Sequence, residues 1–413
     1  MLRFRFALLV GMVLATGCAP NPSPGIPTVA VIVEETAEVQ AAAAVTAAAE
    51  PTEPPIFALP PTWTPTPPPT VDPSVPALPT QQQAPQTGSE PTLQPLPGQQ
   101  IVFAHNAIGL NTHDVFVLDL RNDFTRNLTD NAVTDTSPVW GPDRERIAFV
   151  AERDLQTDLF VIRQDGDALR QLTEDKAIEQ RPVWSPDGAY VGYISDADSP
   201  DGELYAASVL GGGSPLRMAS GITAVDFAWS PDSRSLVFTS GEVAAGQALL
   251  HTVAFDERPA TTLLFADDDL TSITGLAWSP DGTRIVASCN GMICVMNPDG
   301  TNLTVTSSRG DRPSWSPDGE TIAFVCPAYG AETICIINRN LTNAFPLLGI
   351  GGRIRNTPQW SSDGRQLAFD MVPGDEPTAF LYILDIVSNE WQSVAQISTE
   401  GNNNFYGISW QPQ

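Results

Sequence analysis

The sequence predicts an all-β protein, a seven-bladed β-propeller of four-stranded blades. A motif close to Trp-Ser-Pro-Asp-Gly recurs along the chain with its tryptophans 37 to 50 residues apart, a period typical of one propeller blade. Short segments rich in Val, Ile, Phe and Tyr, bounded by Gly, Pro and Asp, follow each motif and are typical of strands. Seven tryptophans mark seven first strands: Trp140, Trp184, Trp229, Trp278, Trp315, Trp360 and Trp410.

Residues 1–17 have the pattern of an export signal. Two arginines precede a short apolar run, "FALLVGMVLA", which is too short for a membrane-spanning helix. The end of this run, "ATGC", resembles the bacterial lipoprotein lipobox. The resemblance implies a mature chain that begins at a lipidated Cys18, exported and anchored to the outer face of the cytoplasmic membrane or to another envelope membrane. The alternative is an ordinary secretory signal with an incidental cysteine.

Residues 18–100 form a second compositional region, rich in Pro, Thr, Ala and Gln. Proline fixes φ and removes backbone donors, so this stretch cannot build a sheet, and we expect a disordered stalk. The whole chain has 48 acidic and 21 basic residues and a formal net charge of −27. Such an acidic protein lacks the electrostatic footprint of a nucleic-acid-binding protein, so nucleic acid is excluded as a partner.

Residues 101–413 contain the repeats, and their two ends predict how the ring closes. The region begins with "IVFAHN", which matches the second strand of other repeats, such as "IAFVAE" and "IAFVCP". It ends with "FYGISWQP", which matches a first strand such as "RPVWSP". We therefore expect the C-terminal strand to join the N-terminal blade. This closure removes exposed sheet edges.

The repeated motif itself is predicted to be structural. Proline presets φ for the first corner of a turn, aspartate suits the next position, and glycine accepts the exit geometry. The six motif aspartates belong to different blades and cannot converge on one substrate. The residue directly before each tryptophan is expected to face the crowded propeller axis and is small or of modest size: Val139, Val183, Ala228, Ala277, Ser314, Gln359 and Ser409.

The motif, together with "RIAFV"-, "DLFVI"- and "RQLT"-type segments, resembles the TolB-like propeller repeat over Ile101–Gln413. The resemblance implies the fold and is weak for function. TolB itself resembles this chain only in its propeller, because it carries a folded N-terminal α/β domain and six blades.

Four cysteines follow Cys18 and occupy equivalent positions in two neighbouring repeats: Cys289, Cys294, Cys326 and Cys335. In an exported protein this pattern predicts the intra-blade disulfides Cys289–Cys294 and Cys326–Cys335. We expect the first bridge to need a four-residue loop, because a two-residue Asn290-Gly291 turn would leave Cys294 on the diagonal. Pairing between blades, Cys289–Cys326 and Cys294–Cys335, is the alternative.

We expect no enzymatic activity, no cofactor and no metal centre. The three histidines are scattered over separate segments, and the sequence contains neither a G-x-S-x-G elbow nor a P-loop. Asp196, Asp198 and Asp201 lie in one acidic loop and are weak calcium candidates, although their spacing does not match an EF-hand. The alternative for this loop is a solvated turn.

The repeats stop agreeing three residues before each tryptophan, where the chain returns toward the axis. The candidate binding residues at this channel mouth are Arg181, Asp226, Arg312, Thr357 and Tyr406. The arginines could hold an anionic group of a partner, or they could pair with Asp226 and Asp311. We therefore expect a non-catalytic, lipid-anchored extracytoplasmic propeller that binds an envelope or extracellular protein or acts as a scaffold. The alternatives are binding of a carbohydrate or cell-wall polymer at the mouth, or a propeller lyase or hydrolase.

Overall fold

The computed structural model divides the chain into two units, residues 1–81 and 82–413. The structure describes residues 99–412 apart from 107–111, 154–155, 212, 243–246, 256–258, 267–268, 329, 348–350, 375–377 and 399–406. Cys18 and the predicted stalk therefore lie outside the described residues. Within them, no helix is long and apolar enough to cross a membrane.

The described residues form strands that group into seven blades. Blade 1 contains β1 (Gln100–Asn106), β2 (His113–Asp119), β3 (Phe124–Asn127) and the last strand, β29 (Ile408–Trp410). Blade 2 contains β4 (Thr134–Trp140), β5 (Arg146–Arg153), β6 (Gln156–Arg163) and β7 (Arg170–Gln171). Blade 3 contains β8 (Glu179–Trp184), β9 (Tyr190–Ser195), β10 (Glu203–Ser208) and β11 (Leu216–Arg217).

The remaining blades follow the same plan. Blade 4 contains β12 (Asp226–Trp229), β13 (Ser235–Glu242), β14 (Gln247–Ala254) and β15 (Thr261–Ala266). Blade 5 contains β16 (Ile273–Trp278), β17 (Ile285–Cys289), β18 (Met292–Met296) and β19 (Thr304–Arg309). Blade 6 contains β20 (Asp311–Trp315), β21 (Thr321–Ala328), β22 (Ala331–Asn338) and β23 (Phe345–Pro346). After β24 (Gly352–Arg353), blade 7 contains β25 (Gln359–Trp360), β26 (Gln366–Pro373), β27 (Ala379–Asp385) and β28 (Glu390–Ser398).

The predicted propeller and its closure are confirmed. Each blade is antiparallel, and β29 pairs with β1 so that Ile101 lies opposite Trp410. One feature was not predicted: β24 pairs with both β22 and β26 and joins blades 6 and 7 into one nine-stranded sheet. Glycine is required in this connection, because a Cβ on Gly352 would collide with the carbonyl of Val372.

The motif forms the predicted turn and is held by its own side chains. In blade 3 the Ser185 hydroxyl donates to Asp187 Oδ1 at 2.6 Å and accepts the N–H of Tyr190 at 3.0 Å. Gly188 takes the left-handed conformation with φ of 70°. The same serine–aspartate bond recurs in four other blades, as Ser230–Asp232, Ser279–Asp281, Ser316–Asp318 and Ser361–Asp363. The hydrogen bond from Ser279 holds the pKa of Asp281 well below its usual range. These aspartates therefore serve the turn.

The motif tryptophans join consecutive blades. The Trp229 indole N–H donates at 3.2 Å to the carbonyl of Val183, the residue before the preceding blade's tryptophan. The same bond is made by Trp184 to Val139, Trp278 to Ala228, Trp315 to Ala277 and Trp360 to Ser314, at 3.1 to 3.3 Å. The core lies between blades, as where Ile194 and Leu204 of blade 3 pack with Phe227 and Trp229 of blade 4.

Both disulfides lie within single blades, as Cys289–Cys294 and Cys326–Cys335, with Cα–Cα distances of 5.9 and 5.8 Å. The expectation of a four-residue loop was wrong. Asn290 and Gly291 form a two-residue turn, and Cys289 lies opposite Met292, so the bridge runs along the diagonal. The right-handed twist between neighbouring strands shortens one of the two diagonals, which explains why the bridge can form there.

Candidate functional site

The first strands of blades 3 to 7 surround a channel cavity of about 570 Å³. In five of the seven blades the residue directly before the motif tryptophan contributes to its wall: Val183, Ala228, Ala277, Ser314 and Gln359. Phe227 and Leu276 add further apolar surface, and Pro186 and Pro231 of the motif turns line its far end. The described wall is therefore mostly apolar.

Three of the five predicted mouth residues, Arg181, Asp226 and Thr357, line this cavity together. Arg312 does not, because its guanidinium donates from Nη1 to the carbonyl of Ile354 at 2.7 Å and pairs with Asp311 at 3.5 Å. The fifth predicted residue, Tyr406, lies outside the described residues.

Arg181 and Asp226 form an ion pair across two blades. Arg181 Nη2 lies 3.3 Å from Asp226 Oδ1, and the guanidinium also donates to the carbonyl of Val225. The other carboxylate oxygen, Oδ2, accepts the backbone N–H groups of Gly275 at 2.5 Å and Leu276 at 3.2 Å. Asp226 thus connects blades 3, 4 and 5. The sequence analysis also considered that the mouth arginines pair with Asp226 and Asp311. The structure shows both of these pairs.

A β-bulge explains why the repeats diverge three residues before the tryptophan. Five of the seven residues at this position have positive φ, between 51° and 74°: Ser137, Arg181, Gly275, Arg312 and Gly407. In four blades the register between the first two strands shifts there. A bulge re-aims side chains and is common next to binding sites, and the left-handed conformation costs a non-glycine residue about 1–3 kcal/mol. The sequence did carry a signal for the bulge: two repeats have glycine at this position, and glycine is the residue that most easily adopts positive φ.

A buried carboxyl group at the start of β8 escaped the sequence analysis. Glu179 is 1% exposed; its Oε1 accepts the Ser195 hydroxyl at 3.1 Å, whereas Oε2 has no hydrogen-bond partner among the described residues. Burial, with repulsion from Asp175 and Asp158, raises the pKa of Glu179 to about 8. Asp135 occupies the same register position in blade 2, and burial raises its pKa to about 6. An acidic residue five positions before the tryptophan in two blades was the available signal.

Replacing Glu179 by glutamine is expected to change how stability depends on pH. Between its ordinary pKa of 4.5 and its pKa of about 8, folded protein holds a proton that the unfolded chain has released. The stability of the natural protein therefore falls as pH rises through this window. Glutamine keeps the shape without the charge, so E179Q should match the natural protein at pH 4 and exceed it by about 1–3 kcal/mol at pH 9.

Urea titrations at pH 4, 6 and 9 measure this effect. The matched control is Glu203→Gln, because the carboxylate of Glu203 binds Arg217 at 2.5 and 2.8 Å and should lose stability at pH 6 and 9. Parallel pH profiles for E179Q and the natural protein would mean that Glu179 is not protonated in the folded state.

The carboxylates of the calcium candidates do not converge on one point but contact different partners. Asp196 accepts a backbone N–H group at 2.7 Å, whereas Asp198 accepts the Tyr205 hydroxyl at 2.5 Å and lies 3.4 Å from Arg217. Asp201 is exposed. In the part of the chain that the structure describes, no group of three or more His, Cys, Asp or Glu residues is arranged to hold a metal ion.

The fold and the cavity define a closed seven-bladed propeller with a mostly apolar channel. No protein-family model and no curated protein sequence matches the chain. Among solved structures, a puromycin hydrolase mutant is similar at 15% identity and a TM-score of 0.59, over 74% of this chain and 53% of the other. This chain thus spans about half of that hydrolase.

Two further structures are similar. An oligogalacturonate lyase from Vibrio parahaemolyticus shares 14% identity at a TM-score of 0.56, over 73% of this chain and 85% of the other. TolB from Acinetobacter baumannii shares 16% identity at a TM-score of 0.49, over 76% and 82%. At identities this low, the similarity to the hydrolase and the lyase shows the propeller fold alone. The two disulfides indicate an extracytoplasmic protein, since such bonds persist in oxidising compartments.

Proposed function

We propose that the protein is a non-catalytic binding module of the cell envelope that holds a segment of a protein partner at the mouth of its channel. One observation carries this proposal. The cavity of about 570 Å³ has a mostly apolar wall, and its described charged lining residues, Arg181 and Asp226, are paired with each other. An apolar recess with a few placed polar groups suits a side chain of a protein segment better than the hydroxyl groups of a sugar.

Arg181 is the residue through which the partner would be recognised. Its side chain is 47% exposed although it pairs with Asp226, so one face of the guanidinium stays accessible at the rim. A carboxylate on the partner could add a charge-assisted hydrogen bond there while an aliphatic side chain enters the recess. Both carboxylate oxygens of Asp226 have partners: Oδ1 pairs with Arg181, and Oδ2 accepts two backbone N–H groups of the next blade. This supports a structural rather than a catalytic role for Asp226.

The rest of the proposal concerns location. The lipobox-like signal supports a lipid anchor at Cys18, and the Pro-rich residues 18–100 would carry the propeller away from the membrane surface. Mass spectrometry of the protein from membranes of producing cells tests the anchor. We expect an N-terminal peptide that begins with a diacylated Cys18, and an unmodified cysteine would contradict it.

Photo-crosslinking in producing cells tests the binding role. A photoreactive residue at Thr357, which is half-buried in the cavity lining, should give a discrete protein adduct that weakens when Arg181→Met is added. The controls are a photoreactive residue at exposed Leu263 on β15 and the charge-removing change Arg365→Met in a motif turn. A protease-resistant, periodate-sensitive adduct at Thr357 would show that the partner is a carbohydrate and not a protein. An adduct whose yield is unchanged by Arg181→Met would exclude recognition through this arginine.

A further inference from the structure

A second cavity, of about 410 Å³, lies at the motif-turn end of the channel between blades 6, 7 and 1. We call it the closure cavity. Its volume is within the range of about 300–1,000 Å³ that is typical of ligand sites. Ser314 and Gln359 line both this cavity and the channel cavity, so the two adjoin each other. Three tryptophans and three prolines contribute to its wall: Trp315, Trp360, Trp410, Pro317, Pro358 and Pro412.

The closure cavity lies at a blade junction that lacks the usual tryptophan hydrogen bond. By analogy with the five blades that make this bond, Trp410 would donate to the carbonyl of Gln359, and both residues line the cavity. The Trp410 indole is 6% exposed, yet its N–H has no acceptor among the described residues. Trp140, on the other side of β29, lacks an acceptor as well. Since buried donors are normally paired, the junction between blades 7 and 1 lacks a group that would fill the space and accept a hydrogen bond.

The preceding chain reaches the propeller at the wall of the closure cavity. Gln99 is the first residue that the structure describes, and it is 8% exposed. Its Nε2 donates at 3.2 Å to the hydroxyl of Ser362, which lines the cavity. The next residue, Gln100, accepts at its carbonyl the N–H of Gln411, another lining residue, at 2.8 Å. The chain thus enters the fold between the motif turn of blade 7 and the C-terminal strand.

The sequence directly before Gln99 suits this cavity. Residues 91–97 are Pro-Thr-Leu-Gln-Pro-Leu-Pro and carry no charge, and the described lining residues of the cavity carry none either. Proline-rich segments in the polyproline II conformation dock in aromatic-lined grooves, and their backbone carbonyls have no internal partner. At about 3.1 Å per residue, Pro95 is within about 12 Å of Gln99. We propose that residues 91–97 of this chain occupy the closure cavity, with their prolines against its tryptophans.

The attachment of this segment favours it over other occupants. A proline-rich segment of another protein, or of a second copy of this chain, has the same chemistry. The chain's own segment is joined to the cavity wall through Gln99, which gives it an effective concentration on the order of millimolar or more. When it is docked, it closes the motif-turn end of the channel and leaves the mouth open to a partner. It also fixes the direction in which residues 18–90 leave the propeller.

Photo-crosslinking of the purified full-length protein tests the inference. A photoreactive residue in place of Pro317, an exposed residue of the cavity wall, should form an adduct with residues 91–97 that mass spectrometry locates after digestion. The turn does not require proline here, because blade 7 has Ser362 at the same motif position. The matched control is a photoreactive residue at Pro280, which has this position in blade 5, is exposed and does not line the closure cavity. It should not label residues 91–97.

Two pairs of proline substitutions test whether the segment is recognised. Pro95→Ser/Pro97→Ser should lower the yield of the Pro317 adduct about fivefold, because the segment loses its preset conformation and its contacts with the tryptophans. Pro65→Ser/Pro67→Ser has the same spacing farther from Gln99 and should leave the yield unchanged. Both pairs precede β1, and circular dichroism verifies that the propeller is retained.

The chain of origin is identified by mixing isotope-labelled and unlabelled protein. Adducts within single chains support the inference, whereas adducts that join a labelled to an unlabelled chain would assign the cavity to a second copy and overturn it. Absence of an adduct with residues 91–97, equal labelling from Pro280, or equal yields for the two proline variants would also overturn it. Arg181→Met should leave the adduct unchanged, so failure of this inference is distinguishable from failure of the channel-mouth proposal.

Discussion

Replacing Trp229 by alanine should lower the free energy of unfolding by about 3–5 kcal/mol. The indole is 6% exposed, lies with its ring centroid 5.0 Å from that of Phe255, and covers Gly192 so closely that a Cβ there would meet it at 2.9 Å. Alanine would leave a cavity between blades 3 and 4 and would also remove the hydrogen bond to Val183. Urea titration followed by circular dichroism measures the change without relying on tryptophan fluorescence.

A second pair of variants separates the hydrogen bond from the packing. Trp229→Phe keeps most of the ring volume but removes the N–H donor, so it should cost about 1 kcal/mol more than Trp140→Phe. Trp140 is the matched control because it is similarly buried, yet its indole N–H has no acceptor within the described segments. Equal losses for the two phenylalanine variants would show that the bonds between blades do not contribute to stability.

Replacing Asp226 by alanine should cost about 3 kcal/mol, because several groups lose their partner at once. The backbone N–H groups of Gly275 and Leu276 would be left without an acceptor, and Arg181 would lose its counter-charge. Arg181→Met, in contrast, should change stability by less than about 1 kcal/mol, since that side chain is half exposed. Thermal unfolding of the two variants side by side tests this asymmetry.

Asp311→Ala is the matched control for Asp226→Ala. Asp311 also pairs with a mouth arginine, Arg312, at 3.5 Å, but its side chain is 44% exposed. Its Oδ1 accepts no hydrogen bond from the described residues, so its loss should cost little. If Asp226→Ala were as mild as Asp311→Ala, the contacts of Asp226 with the next blade would not support the ring. A stable Arg181→Met variant also ensures that any loss of partner binding is not caused by misfolding.

Much of the fold was predictable because its signals are local and repeated. Proline, aspartate and glycine at fixed places in the motif specify a turn, and alternation of apolar residues specifies the strands on either side. The truncated last copy around Trp410 predicted the closure with β1. The cysteine pairs were also predictable, yet the loop length was not, since the diagonal geometry depends on the twist of the hairpin rather than on residue count.

The candidate site was only partly predictable. The position three residues before the tryptophan was recognised as unusual, but its bulge was missed, and Arg312 was grouped with Arg181 although it lies outside the channel cavity. The buried carboxyl of Glu179 and the bridging strand β24 were not expected. Each of these features depends on a neighbouring blade, and a single repeat carries no information about what the next repeat places against it.

Local pattern was thus sufficient for the blade number, the strand order, the closure of the ring and the structural role of the motif. Contacts between blades decided the geometry of the candidate site: Arg181 pairs with Asp226, and Arg312 turns toward Ile354. The physical reason is distance along the chain. Partners such as Arg181 and Val225, or Arg312 and Ile354, are more than 40 residues apart and meet only because the ring brings successive blades together.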